Sequence, residues 1–270
     1  MKKILFLVMG VALLSLPSCF KFDNWDEPGS TWEGTVTDSY TNEPILSSQN
    51  DWQMRIWERS WTGFPDGASN FQDLRIKQDG TYANTKLFDG TYDFLPYNGP
   101  FWPMDTIKNV VLKKHLKHDF TVTPYLQIVD FSASLYRNNN LDSIKITFKV
   151  KAPLRQKGDR TLPRLYEMRA FLSLTPYCGN GNDSSIGVSE YTNNTNINTL
   201  NDARGLRVTC NSNSNTSWDG LLSGGSDTTQ PITLSSRVKS GYTYYVRVGA
   251  SVDDTYRKFC YSSIIKLSVP

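Results

Sequence analysis

Histidine is nearly missing from this chain: His115 and His118 are the only two in 270 residues. Both fall in Lys113-Lys114-His115-Leu116-Lys117-His118, so a Ser-His-Asp hydrolase would have to draw its base from one lysine-rich stretch. No Gly-x-Ser-x-Gly elbow is present to hold a nucleophile, and nucleophilic hydrolysis is not expected. Cysteine is scarce too, four in all and never as Cys-x-x-Cys, which argues against a zinc site. No phosphate-cradling glycine loop follows a strand, so no nucleotide and no other cofactor is expected. Neither sign of charge dominates, with 29 Lys and Arg against 26 Asp and Glu, and no basic field exists to steer nucleic acid. The apolar run from Ile4 to Leu14 is too short to cross a bilayer as a helix. Helical periodicity is almost absent, while 7 Trp and 14 Tyr are spread through the chain, a combination that favours an all-β, surface-binding protein.

The amino terminus is the most specific stretch. Lys2 and Lys3 precede the apolar run, and Leu16-Pro17-Ser18-Cys19 closes it. Residues 1–18 read as a lipoprotein signal peptide: small Ser18 admits a peptidase, and the Cys19 thiol becomes the lipidation site that accepts diacylglycerol. Pro17 departs from the usual Leu-[Ala/Ser]-[Gly/Ala/Ser]-Cys pattern. Each buried methylene contributes about 0.8 kcal/mol, so the several chains of a lipoprotein form a stable anchor. Residues 19–29 follow as a tether carrying Asp23, Asp26 and Glu27. Acidic residues at that place resemble the signal that sends some Gram-negative lipoproteins to the outer face of the outer membrane; the plainer reading is a solvated linker. With Cys19 acylated, Cys178, Cys210 and Cys260 remain, either as one disulfide with a spare thiol or as three buried thiols.

The length beyond residue 18 suits two domains of about 100 to 150 residues each. In the first, residues 30–117, Trp32, Gly34 and Val36 alternate with polar residues as a half-buried strand. Met54 and Ile56 share one face of a second strand, Arg55 and Trp57 the other. Leu74 to Lys77 form a third strand that meets the turn Asp79-Gly80, and Asp79-Gly80-Thr81-Tyr82 recurs as Asp89-Gly90-Thr91-Tyr92. Together with Gly34-Thr35-Val36-Thr37-Asp38 and Glu43-Pro44-Ile45, these units resemble the carboxypeptidase-regulatory-like, transthyretin-like β-sandwich. That resemblance implies a non-catalytic spacer or docking module.

Residues 118–124 are expected to form a linker, part of an extended stretch from Val110 to Pro124, with both histidines on solvated chain. Residues 125–270 then alternate regularly. Ile144, Ile146, Phe148 and Val150 make the buried face of a hairpin whose turn is Asn138-Asn139-Asn140. Tyr166, Met168, Ala170, Leu172 and Leu174 read as a third strand, and Thr175 to Gln230 as a long Asn- and Ser-rich loop region. The closing strands, Val238 to Pro270, resemble an immunoglobulin or fibronectin type III sandwich, with Tyr244 where that family places its corner tyrosine. The fold class expected is therefore all-β, two tandem β-sandwiches.

Lipobox, accessory sandwich and immunoglobulin-like sandwich together resemble an uncharacterised family of outer-membrane lipoproteins encoded beside SusC-like transporters and SusD-like binders. The resemblance implies a surface-exposed protein that binds glycan for such an uptake system, or a structural adaptor that docks on the transporter. Enzymatic action is not expected, since the acids lie at turns or on solvent faces. Sugar rings stack on indole and phenol, so the ligand-binding candidates are Trp57, Trp61, Trp102, Tyr177 and Trp218, with Phe64 and Tyr191 beside them. Each alone is more simply a packing residue. Trp102 and Trp218, in loops, are the least expected in a core. Mass spectrometry of native material should find Cys19 as an acylated amino terminus; an unmodified first residue would remove the anchor.

Overall fold

The computed structural model describes residues 27–49, 51–60, 71–138, 141–180, 206–209, 218–222 and 225–270. Among the described residues, eighteen strands, β1 to β18, make two sandwiches. The first holds β1 (Ser30–Asp38), β2 (Gln53–Glu58), β3 (Phe71–Arg75), β4 (Thr81–Leu87), β5 (Gly90–Tyr97), β6 (Ile107–Leu112), β7 (His115–Lys117) and β8 (Phe120–Val122). One sheet has the order β4-β1-β7, with β8 also on β1; the other runs β3-β2-β5-β6.

The alternation in β1 buries Trp32 and Val36 completely, as its period of two predicts. Trp32 is met edge-on by Tyr92 and Phe94 at 5.7 and 5.6 Å between ring centroids, and Met54, Ile56, Leu74 and Tyr82 complete that core. Gly34 lies between them, where a Cβ would stand 2.1 Å from the His118 carbonyl oxygen. Only glycine admits so close a neighbouring chain.

That neighbouring chain corrects the expected linker. Residues 118–124 carry β8, which pairs in parallel with Val36 to Asp38 and buries Phe120 and Val122 in the first core. β7 pairs with Thr31 to Glu33 just before it. The free edge of β1 needs backbone partners, and two three-residue strands supply them. Strands so short show no readable alternation, which is why the segment looks like a connection in sequence. The histidines sit on this edge: His115 lies 3.1 Å from Glu33, and the half-buried His118 ring packs at 4.9 Å from Phe94, with burial holding its pKa below the ordinary value.

The second sandwich holds β9 (Gln127–Asn138), β10 (Leu141–Lys151), the small hairpin β11 (Gln156–Lys157) and β12 (Arg160–Thr161), then β13 (Leu165–Ser173), β14 (Leu206–Thr209), α1 (Trp218–Leu221), β15 (Ile232–Arg237), β16 (Thr243–Val252), β17 (Phe259–Tyr261) and β18 (Ile265–Ser268). One sheet runs β15-β10-β9; the other runs β14-β13-β16-β17, with β18 on β16. Ile144, Ile146, Phe148 and Val150 are wholly buried, as the alternation requires. In β9 a one-residue bulge at Asp130, whose φ is 52°, brings Ile128 onto the face of Phe131 and Ala133. The Tyr244 hydroxyl accepts the Lys239 N–H at 3.1 Å, the tie of a tyrosine corner.

β13 and β16 are buried on both faces. Their second face, with Phe171, Tyr245 and Arg247, joins Cys178, Phe259, Tyr261 and Leu46 in a cluster between the sandwiches. Cys178 and Cys260 are free thiols there and in the adjoining core, while Cys210 lies outside the described residues. Burial pushes both thiols from about 9 up to about 12. Folded thiols therefore keep protons that unfolded ones release. Stability should be intact below pH 9 and fall as pH rises toward 12, by up to about 1.4 kcal/mol per pH unit for each thiol. Urea midpoints between pH 8 and 11.5 measure the slope, and Cys178→Ala should flatten it.

Candidate functional site

The four aromatic candidates among the described residues go to different places. Trp102 is 1% exposed and Trp218 5%, so neither is a rim residue. The loop after β5 is pinned to the second sandwich: the Trp102 N–H donates to the Thr123 carbonyl at 2.9 Å, and Tyr125 N–H to the Pro100 carbonyl at 3.1 Å. Its indole thus drops into the second core, 5.3 Å from the Tyr125 ring. Trp218 opens α1 and buries itself in that same core, its indole N–H donating to the Pro163 carbonyl at 2.8 Å. The polar composition around each residue hid a partner that only the folded chain provides. Trp61 and Cys19 lie outside the described residues, as do Phe64 and Tyr191.

Trp57 is half-buried on the outer face of β2, paired across to Phe71 and Asp93. The next residue on that face, Arg55, lies 3.6 Å from the centroid of Phe71 and 4.1 Å from that of Tyr97, with two hydrogen bonds to Asp73 at 2.8 and 3.0 Å. Tyr97 continues the row to Tyr256 of the second sandwich at 5.6 Å. Phe71 and Tyr256 were not singled out in sequence, because they meet only across strands and across the junction.

Among the described candidates, Tyr177 lines the cleft between the sandwiches and Trp57, Trp102 and Trp218 do not. Tyr177 is 58% exposed, on the loop after β13, and borders this cleft of about 670 Å³. One wall comes from the end of β3 and the turn beyond it, with Arg75, Lys77, Gln78 and Asp79. Gly80 makes that turn possible: its φ is 82°, and a Cβ would stand 2.7 Å from the Ile45 carbonyl. The opposite wall is Tyr177 with Ser263 and Ile264; Leu46, Gln49, Ile76 and Arg247 line the rest.

The Gln78 side chain spans the walls. Its Nε2 donates to the Pro176 carbonyl at 2.9 Å and its Oε1 accepts the Cys178 N–H at 3.0 Å, which fixes the backbone on both sides of Tyr177. Burial works to raise the Asp79 carboxyl, but the Thr81 hydroxyl at 2.7 Å and amide at 3.0 Å outweigh it and hold the group below its ordinary value. Neither histidine lines the cleft. Among the described residues, no group of three or more His, Cys, Asp and Glu side chains is placed to hold a metal. The cleft offers one exposed aromatic face, amide and hydroxyl groups, and charges of both signs. That set suits a polar ligand with some apolar face.

Two family models match nearly the whole described chain: the N-terminal domain of a protein of unknown function, DUF3823, over residues 30–123, and the DUF3823 C-terminal domain over residues 130–266. This chain belongs to the DUF3823 family. The boundary at 123 agrees with the place of β8 in the first sandwich. Among solved structures, a DUF3823 protein of Bacteroides uniformis is 20% identical with a TM-score of 0.64, over 90% of this chain and 100% of that one. A DUF3823 protein of Parabacteroides merdae, with the same coverage, is 17% identical with a TM-score of 0.59. A third structure, from Bacteroides uniformis and described as a "putative carbohydrate binding protein", is 21% identical with a TM-score of 0.62 at that coverage. At such identities the likeness establishes the shared two-sandwich fold. Comparison with curated proteins finds no match.

Trp102→Ala and Trp218→Ala should each cost about 3–5 kcal/mol of folding stability, as deletion of a buried indole does. Tyr177→Ala should leave the urea midpoint near that of the parent protein. Equilibrium denaturation of the three variants checks the division.

Proposed function

We propose that this DUF3823 protein is a non-catalytic glycan-binding lipoprotein of the outer membrane, anchored through Cys19 at the cell surface and serving a SusC/SusD-like uptake system. The interdomain cleft is its ligand site and Tyr177 the stacking platform. The observation that carries this reading is an aromatic ring 58% exposed on the lip of a concave site whose other walls mix aliphatic Leu46, Ile76 and Ile264 with hydrogen-bonding side chains. A pyranose ring presents C–H groups on its faces and hydroxyls around its edge. The phenol face takes the first, and Gln49, Lys77, Asp79 and Ser263 the second. The description of one structural relative as carbohydrate binding supports the same reading. The lipobox, with the cut site and Cys19 coinciding, supports the surface location.

A second reading, a structural adaptor that docks on the transporter complex, is favoured by the row Phe71-Arg55-Tyr97-Tyr256, which leaves Phe71 and Tyr256 each 42% exposed on the outer surface. The two readings separate cleanly in experiment. In gels containing polysaccharides from a broad panel, the full mature chain made without its lipid should be retarded by at least one polymer. Tyr177→Ala should weaken that retardation about tenfold, the effect of losing one stacking face and its fixed orientation. Co-purification with a SusC/SusD-like pair in the absence of sugar, lost in Phe71→Ser and unaffected by Tyr177→Ala, would instead favour the adaptor.

A further inference from the structure

The cleft contains a cation that no carboxylate among the described residues hydrogen-bonds. Arg247 is 1% exposed and lines the cavity. Its Nε donates to the Ser262 carbonyl at 2.9 Å, and its Nη1 to the carbonyls of Ser47 at 2.6 Å and Cys178 at 2.9 Å. All three acceptors are neutral. Among the described residues no hydrogen bond joins Nη2, so two of the five N–H donors of a guanidinium remain for something else. The one nearby carboxylate, Asp51, is paired with Lys258 at 3.3 Å and lends Arg247 its field without a hydrogen bond, so a single negative charge serves two cations. Three cations, Arg75, Lys77 and Arg247, line the cleft against one carboxylate, Asp79, which Lys77 offsets, so the lining carries an excess of positive charge.

Burying a guanidinium is costly unless its hydrogen bonds are complete and its charge is answered. A backbone-only cage completes three bonds and leaves the charge. Shape, donor geometry and sign point to the same partner. We infer that the cleft selects an acidic glycan, one whose sugars carry a carboxylate or a sulfate ester, with the anionic group seated against Nη2 of Arg247 and the sugar ring against Tyr177. The inference rests on the reading of this cleft as a glycan site. In a dry setting a charge-assisted hydrogen bond of this kind is about twice as strong as a neutral one, and an anionic oxygen pair matches the planar donor.

Isothermal titration of the full mature chain with three probes tests it: oligogalacturonate for the carboxylate, chondroitin sulfate oligomers for the sulfate ester, and neutral xylo-oligosaccharides of equal length. One acidic probe should bind at least about tenfold more tightly than the neutral one, and the two acidic arms tell which group is read. The preference should shrink on going from 50 to 500 mM salt. Arg247→Lys keeps a positive charge but lacks Nη2 and should abolish the preference. Should that variant not fold, Lys77→Gln at the exposed rim decides, because it keeps a hydrogen-bonding side chain but leaves Asp79 unopposed, and it should weaken the acidic probe several-fold more than the neutral one.

Equal or tighter binding of neutral oligomers, still dependent on Tyr177, would overturn the acidic class and leave glycan binding standing. Binding of acidic probes indifferent to Lys77→Gln and to salt would also overturn it, by placing them elsewhere. No binding of any probe, together with no retardation on the wider panel, would remove the glycan reading itself.

Discussion

A guanidinium buried between two sandwiches is the constraint on which the rest of this structure depends. Arg247 leaves the middle of β16 and takes one carbonyl from the first sandwich, at Ser47, and two from the second, at Cys178 and Ser262. Losing any of them would leave a donor of the guanidinium unpaired in a dry interior, at a cost of about 1–3 kcal/mol. The two units therefore cannot slide past one another without breaking it. Around this point the Tyr261 hydroxyl meets Ser48 at 3.2 Å, and the Cys260 thiol meets the Pro100 carbonyl at 3.4 Å. The indole of Trp102 crosses from one unit into the core of the other. A junction fixed in this way holds the cleft in one shape before any ligand arrives, which lowers the ordering cost of binding.

The aromatic residues divide by what surrounds them. Trp32, Trp102 and Trp218 are packing residues, each enclosed by strands or a loop that the fold brings over it. Phe71, Tyr97 and Tyr256 form an outer row knit by the Arg55 guanidinium, in which part of each ring is already occupied. Tyr177 is different. No strand covers it, its backbone is clamped by Gln78, and it faces a cavity. Rigid support beneath an exposed ring is what a stacking platform requires, because an aromatic that must be ordered on binding gives up part of its gain to entropy.

The two sandwiches are joined without a free linker. β7 and β8 run along the edge of β1, and the chain enters β9 only five residues after Val122. The Gln127 side chain is hydrogen-bonded back to Asp38 of the first unit. Movement of one sandwich against the other is thus opposed at the crossover as well as at Arg247.

Much of this architecture was legible in the residue order. Period-two alternation in Trp32-Gly34-Val36 and in Ile144-Ile146-Phe148-Val150 predicts which faces are buried, because a strand with one dry side has no other way to arrange its side chains. Asp79-Gly80 marks a turn, and Tyr244 marks a corner, for equally local reasons. What the chain order could not reveal is everything that depends on two distant segments meeting. The 118–124 stretch is strand rather than linker because the edge of β1 waits there. Trp102 and Trp218 are core because Tyr125 and Pro163 lie over them. Arg247 is buried because Ser47, two hundred positions earlier in the chain, offers its carbonyl. Sequence alone determined the two sandwiches and the small set of aromatics worth weighing. Only the tertiary structure decided which aromatic faces a cavity and which cation lies beneath it, since burial is a property of neighbours and not of the residue.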